Sequence, residues 1–374
     1  MNYYLIAGEA SGDLHGAHLI EQIIHNDSDA SFRFWGGDKM AAATHTEPVK
    51  HYKDYDHMGI VEVIKHLRTI ISNITFCKKD IEIHKPDAVI FIDFPGFNLK
   101  IAPFVKQLGI PTFYYISPTI WIWKEKRVHK IKKYIDHMFV ELPFIKDTYK
   151  KHNYDVDFVG HPLIDAIHNF SQKYSQASFI KTHNLPDKKI IAVLPGSREY
   201  EIRDNLTTMQ QISEDFHEYE FVIAGISHFS KDFYRQYISA HNVSVVFDQT
   251  YELLTKSDAA IVVSGTATLE TALFHIPQIV VYKTNPFTFY IAKMLVNLSY
   301  LGLPNIIMNK SIVPELLQKD MHAANLKKAL TKILFDTDFR KDIFNSYKVL
   351  QHKLGHNGTA KRTADLIQKY LFVK

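Results

Sequence analysis

Short runs of β-branched and aromatic residues alternate with stretches of helical spacing along almost the whole 374-residue chain. A strand buried on both faces needs an unbroken apolar run, and a helical crossover brings the chain back to pair in parallel. The alternation therefore predicts βαβ units built on parallel sheets. In the first half the expected strands fall at 3–7, 32–35, 88–92, 112–116, 138–140 and 156–159. Between the first two, Leu14, Ala17, Ile20 and Ile24 recur at helical spacing. A polar stretch at 161–188, closing with Leu185-Pro186-Asp187, interrupts the pattern. A second series follows at 190–194, 220–224, 243–247, 259–263 and 278–282, and the chain reads as helical from about 340.

The expected architecture is α/β: two Rossmann-like domains facing across a cleft, 1–165 and 166–340. A helical tail, 341–374, is expected to pack back on the first domain or on a partner subunit. No sequence repeat relates the halves. Length supports the division, since 374 residues exceed what one hydrophobic core usually serves. In doubly wound sheets ligands bind past the carboxyl ends of the strands, so the turns after each strand carry the search for function.

Composition narrows the class. With 46% apolar and 22% charged residues the chain is neither disordered nor low-complexity. A net charge of +4 is too weak to argue for nucleic acid. The single cysteine, Cys77, excludes an internal disulfide and fits a reducing compartment. No apolar run reaches the roughly 18 residues of a membrane span, and the first residues lack a signal-peptide pattern. The expectation is a soluble cytoplasmic protein, with surface attachment to a membrane left open.

Four turns stand out. The first strand runs into Gly8-Glu9-Ala10-Ser11-Gly12-Asp13, which matches neither GxGxxG nor the P-loop spacing. Its small residues let a substrate approach the backbone, and Ser11 or Asp13 equally suits a helix cap. The strand at 88–92 runs into Asp93-Phe94-Pro95-Gly96-Phe97-Asn98. A carboxylate at the end of an apolar strand has the low polarity that lifts an acid into a general base's range, so Asp93 is the candidate base. The strand at 190–194 meets Pro195-Gly196-Ser197-Arg198. Backbone N–H groups at Gly196 and Ser197 suit an anion, and the Arg198 fork suits phosphate oxygens. The strand at 259–263 meets Ser264-Gly265-Thr266 at a helix start, with Glu270 further along to accept hydrogen bonds from ribose hydroxyls. Two anion-type turns in one half suggest a diphosphate.

No metal site is expected, because the 21 histidines show neither HExxH nor paired-cysteine spacing. Asp27-Ser28-Asp29 and Asp155-Val156-Asp157 match an Asp-x-Asp pattern that is common by chance and read as surface. His15 and His161 lie at strand ends and read as structural. No cofactor is implied.

Nine segments occur in an order that resembles the lipid-A-disaccharide synthases over about residues 3–318. They are the turns at 7–13, 93–98, 194–198 and 264–267, together with Met58-Gly59-Ile60-Val61-Glu62-Val63, Ser117-Pro118-Thr119-Ile120-Trp121, Gly160-His161-Pro162-Leu163, Leu303-Pro304-Asn305 and Val313-Pro314-Glu315-Leu316-Leu317-Gln318. The resemblance implies an inverting, metal-independent glycosyltransferase of the B-type fold. It would join the sugar of UDP-2,3-diacylglucosamine to 2,3-diacylglucosamine 1-phosphate in β-1,6 linkage and release UDP. The resemblance further implies that Asn305 lies in the nucleotide pocket or cleft and that Glu9, Ser11, Asp13 and Asn98 line the acceptor side. It also implies residence at the cytoplasmic face of the inner membrane, and a homodimer is one possible assembly. The chain departs from the more usual pattern at Thr268, where a second alanine is common.

Two segments bear on acylated substrates. At 60–74 an apolar stripe (Ile60, Val63, Ile64, Leu67, Ile70, Ile71, Ile74) reads as core, while Met58, Val61, Lys65 and Arg68 form a mixed apolar-basic second face. Downstream of Trp121-Ile122-Trp123, six cations face one anion between 124 and 133, a pattern that suits anionic headgroups or simply water. Two alternatives remain. One is the N-acetylglucosaminyltransferase of cell-wall precursor synthesis, whose Gly-Gly-Thr-Gly-Gly-His turn is missing here. The other is a nucleotide-binding module without catalysis.

Overall fold

The structure, a computed structural model, describes residues 1–54, 67–118, 127–170, 176–284 and 299–372. The chain divides into two compact units, Met1–Asp165 with Leu354–Lys374, and Ala166–Lys353. Each is built on its own parallel sheet.

In the first unit the strands are β1 (Asn2–Ala7), β2 (Ser31–Gly36), β3 (Lys50–His51), β4 (Ala88–Ile92), β5 (Thr112–Tyr115), β6 (His137–Val140) and β7 (Asp157–Phe158). Their spatial order is β3-β2-β1-β4-β5-β6-β7, so the winding reverses between β1 and β4. β1, β4 and β5 are buried along nearly their whole length, which is why their sequences are unbroken apolar runs. The edge strands are two residues each, and the strand expected at 156–159 shrinks to Asp157–Phe158.

The expected tail is split. Helix Thr337–Lys353 belongs to the second unit, where the Tyr347 hydroxyl donates to the Ile276 carbonyl at 3.2 Å. Helix Thr359–Phe372 joins the first, placing Ala364 and Ile367 in the core beside Ile20 and Ile23 of helix Ala10–Asn26. Its start is anchored by Asp165, whose carboxylate accepts the N–H of Gly358 (2.6 Å) and Thr359 (2.8 Å). Arg362 adds a bond from Nε to the Val159 carbonyl at 2.9 Å.

Of the apolar stripe expected at 60–74, Ile60, Val63 and Ile64 lie outside the described residues. On helix Leu67–His84, Ile70 and Ile74 are half-buried and Ile71 is 55% exposed, whereas Asn73, Cys77, Asp80 and Ile81 are buried. Asp80 turns this face inward, accepting both Arg33 Nε and Nη2 (2.7 Å each) and the Tyr4 hydroxyl (2.8 Å).

In the second unit the strands are β8 (Lys189–Leu194), β9 (Tyr219–Gly225), β10 (Val243–Phe247), β11 (Ser257–Val263), β12 (Gln278–Tyr282) and β13 (Glu315–Leu317). Their order is β10-β9-β8-β11-β12-β13, with the reversal between β8 and β11. In open α/β sheets the crevice at such a reversal is where ligands bind. In the first unit it lies past β1 and β4, and in the second past β8 and β11.

Candidate functional site

Past β8 and β11 the second unit holds a cavity of about 560 Å³. Gly196, Ser197, Arg198, Ser264, Gly265, Thr266 and Glu270 all line it, so both anion-type turns open on one space. Gly196 has φ +102°, and a Cβ there would lie 2.5 Å from Glu201 Oε2. Glu201 accounts for that crowding, because its carboxylate accepts the N–H of Ser197 (3.0 Å) and of Arg198 (3.2 Å). The expectation that the Ser197 N–H serves an anion is thereby corrected. At this turn the guanidinium of Arg198, exposed and held by Nη1 on the Tyr200 hydroxyl at 2.9 Å, is the anion-seeking group.

At the second turn, helix Thr266–Leu273 begins on exposed Gly265 and Thr266. The first N–H groups of a helix have no intrahelical acceptor and carry the positive end of its dipole. Thr268, the departure noted above, is buried and structural. Its hydroxyl donates to the Gly265 carbonyl (2.7 Å) and accepts the Leu303 N–H (3.3 Å). Glu270 reaches the cavity wall beside Tyr251, whose hydroxyl donates to it at 2.9 Å. Burial raises the proton affinity of Glu270, and the Tyr251 hydrogen bond opposes that rise. Tyr251 lies four residues past β10, the same distance as Arg198 past β8, but no small-residue turn of anion-binding type marks it in the sequence.

In the first unit, Asp93 follows β4 with φ +43° and Phe94 follows with φ +47°. Two successive left-handed residues other than glycine are a strained arrangement that surroundings must hold. They do so here. The Asp93 N–H donates to the Tyr115 carbonyl (3.0 Å), and the Asp93 carbonyl accepts Asn98 Nδ2 (2.7 Å) and the Tyr114 hydroxyl. Phe94 in turn lies over Gly8, where a Cβ would come within 2.2 Å of its ring. This contact joins the turn after β1 to the turn after β4. Asp93 and Glu9 are hydrogen-bonded to each other, and Ser11 Oγ donates to Glu9 at 2.8 Å.

The carboxyl of Asp93 is pushed up to about 7. Burial is the largest cause, followed by the charge and hydrogen bond of Glu9 and the charge of Glu141, with the Phe94 N–H opposing. Glu141, at the end of β6, is 7% exposed and is itself pushed to about 7 by burial. Its sequence signal is the same as that of Asp93: it follows the apolar run Met138-Phe139-Val140 just as Asp93 follows 88–92. His15 and His161 stay neutral, the first lowered to about 4 and the second to about 3, chiefly by burial.

Three residues expected at ligand surfaces are interior. Asp13 is 3% exposed and caps helix Asp38–Thr44, accepting the N–H of Gly37 (2.7 Å), Lys39 (3.0 Å) and Met40 (3.1 Å). Asn98 is 0% exposed and is used on the Asp93 backbone. Asn305 is 0% exposed and spans its own loop. It donates to the Val313 carbonyl (2.9 Å) and to Glu315 (2.8 Å), and accepts the N–H of Ile312 (2.8 Å) and Val313 (3.0 Å). Met58, Val61 and Lys65 lie outside the described residues, as do Thr119–Lys126. Arg68 is exposed on helix Leu67–His84. Among the described residues there is no cluster of His, Cys, Asp and Glu arranged to hold a metal, and no helix is long and apolar enough to cross a membrane.

A profile described as lipid-A-disaccharide synthetase matches residues 3–369. The lipid-A-disaccharide synthase of Syntrophus aciditrophicus is 35% identical over 367 residues, covering 96% of this chain and 95% of the relative. Among solved structures, the UDP-GlcNAc 2-epimerase of Neisseria meningitidis bound to UDP-GlcNAc aligns with a TM-score of 0.66 at 14% identity, over 99% of this chain and 100% of the other. A kitacinnamycin glycosyltransferase aligns with a TM-score of 0.66 at 14% identity, over 99% of each chain. These distant likenesses show a shared fold, that of the B-type glycosyltransferases and their epimerase relatives.

Proposed function

The chain belongs to the lipid-A-disaccharide synthase family of UDP-sugar glycosyltransferases, and from that premise we propose that it transfers the sugar of UDP-2,3-diacylglucosamine to 2,3-diacylglucosamine 1-phosphate in β-1,6 linkage. The observation that carries the reading is the convergence of Arg198, the helix start at Thr266 and Glu270 on one cavity. That combination suits a nucleoside diphosphate. Arg198 and the helix dipole meet the phosphates, while Glu270 accepts ribose hydroxyls. The fold neighbour that carries UDP-GlcNAc supports a nucleotide sugar in this fold.

The transfer is one in-line displacement. The acceptor's 6-oxygen attacks the donor's anomeric carbon from the face opposite UDP, and the bond from that carbon to the diphosphate oxygen breaks. The hydroxyl proton goes to Asp93, and UDP departs carrying the electron pair, its charge met by Arg198 and the helix start. A base poised near 7 holds an available lone pair at neutral pH and still takes the proton as the oxygen becomes an ether. Glu9 and Ser11 edge the acceptor side, whereas Asn98 and Asp13 act from the interior, by holding Asp93 and the neighbouring helix. Arg68 and the exposed Lys130, Lys132 and Lys133 of helix Arg127–Tyr134 are the cations of these two segments, among the described residues, that an anionic membrane surface would attract.

The test is UDP release by purified protein supplied with both diacylated glucosamines. Release that requires both substrates and yields a β-1,6 disaccharide supports the reading. Consumption of the UDP-sugar without acceptor overturns it.

A further inference from the structure

β4, β5 and β6 lie side by side, with Ile92 opposite Tyr115 and Tyr115 opposite Phe139. Neighbouring strands are about 4.8 Å apart, so the residues after β4 and β6 sit about 10 Å apart with the end of β5 between them. That end is gripped from both sides. The Asp93 N–H donates to the Tyr115 carbonyl at 3.0 Å, and Glu141 Oε2 accepts the Ser117 N–H at 3.0 Å. Between these bonds Ile116 has φ +65°, a costly conformation for a β-branched side chain. The Ser117 hydroxyl is held in turn against the Tyr149 hydroxyl at 3.2 Å.

Holding one backbone N–H does not require a carboxylate. A buried glutamine would accept the same bond without the penalty of burying an acid, and what acts on Glu141 among the described residues is burial and the N–H groups of Ser117 and its own backbone, not a cation. Its charge therefore has another use. Resting on the reading of Asp93 as the base, we propose that Glu141 is a positioning residue for Asp93: it fixes the strained turn that ends β5 and, as a second buried acid across that strand, keeps Asp93 ready to take a proton at neutral pH. The groups facing the pair fit this role. Glu9 and the Phe94 N–H act on Asp93, the charges of Asp93 and Arg127 both act on Tyr114, and the charge of Glu141 acts on Tyr115 and Tyr149. The charge of Glu141 raises Asp93, and because a Coulomb interaction is mutual the two acids titrate as a pair.

The experiment is the pH profile of kcat/KM for UDP release. In the wild type the acid limb falls near pH 7. Glu141→Gln keeps the Ser117 bond and removes the charge, so the limb moves down by about half a unit or more. A merely structural glutamate leaves it in place, and an unmoved limb in folded Glu141→Gln overturns the proposal. If that variant does not fold, the reciprocal measurement decides. Carboxyl carbon-13 NMR of glutamate-labelled Asp93→Asn protein should show the glutamate that titrates near pH 7 moving to lower pH, and no movement overturns the proposal. A fully active Asp93→Asn enzyme sinks the base reading instead, an outcome seen in that variant alone.

Discussion

Asp93→Asn should make the first unit more stable while destroying turnover. The magnitude follows from proton linkage. The Asp93 carboxyl sits at about 7 in the folded chain against an ordinary 3.8, a gap of about three units. At about 1.4 kcal/mol per unit the ceiling is about 4 kcal/mol. Because Asp93 is partly exposed and tied to Glu9, on the order of 2–4 kcal/mol is the realistic range. The sign is fixed by who holds the proton. Between pH 4 and 7 the folded state retains a proton that the unfolded chain has shed, so stability falls as pH rises and the full penalty applies above 7. An amide carries no such penalty and still donates to Glu9. The variant should therefore melt about 5–10 °C above the wild type at pH 8, with the gap closing towards pH 4. The assay is tryptophan fluorescence against temperature, since Trp35 is fully buried in the first unit and no tryptophan falls between 166 and 353, the span of the second. In the same samples kcat should fall by roughly 100-fold or more. Equal melting at every pH, or a less stable variant at pH 8, would refute the argument that burial and Glu9 hold this acid neutral.

Arg198→Ala should weaken UDP binding by about 2 kcal/mol by calorimetry, and Arg198→Lys should restore only part of it because an ammonium lacks the fork. Unchanged affinity places the phosphates elsewhere. Asn305→Ala strands the N–H groups of Ile312 and Val313, so it should cost about 2–4 kcal/mol in thermal unfolding while the UDP affinity of the folded fraction holds. A loss of affinity without a loss of stability returns Asn305 to the pocket. Flotation on anionic vesicles should fall when Lys130, Lys132 and Lys133 are changed together to Gln, most strongly at low salt, at about 1 kcal/mol per cation. Flotation that is indifferent to both charge and salt removes this helix from the surface contact.

Strands buried on both faces were legible because burial leaves only one kind of sequence, as β4 (Ala88–Ile92) and β11 (Ser257–Val263) illustrate. β3 and β13 were not, since short edge strands are half-buried and carry polar residues such as Lys50 and Glu315. The same physics divided the site residues. Arg198, Ser264 and Glu270 follow strands and line the cavity, as position alone foretold. Asp13, Asn98 and Asn305 sit in similar motifs, but their partners are backbone groups supplied by distant segments or by their own loop. A short polar side chain looks alike in sequence whether it binds a ligand or satisfies a buried amide. Only the far end of the hydrogen bond tells them apart.

The helix at 359–372 that completes the first core also sets a timetable. On a ribosome the chain grows at about 5–20 residues per second, so the wait between Asp165 and its capping partners at 358–360 lasts about 10–40 s. Throughout that interval the apolar side of helix Ala10–Asn26, including Ile20 and Ile23, has nothing from 359–372 to cover it. The first half of the molecule to be made is thus the last to be finished. A premature stop near residue 355 would leave the domain built first without that cover and Asp165 without its capping partners.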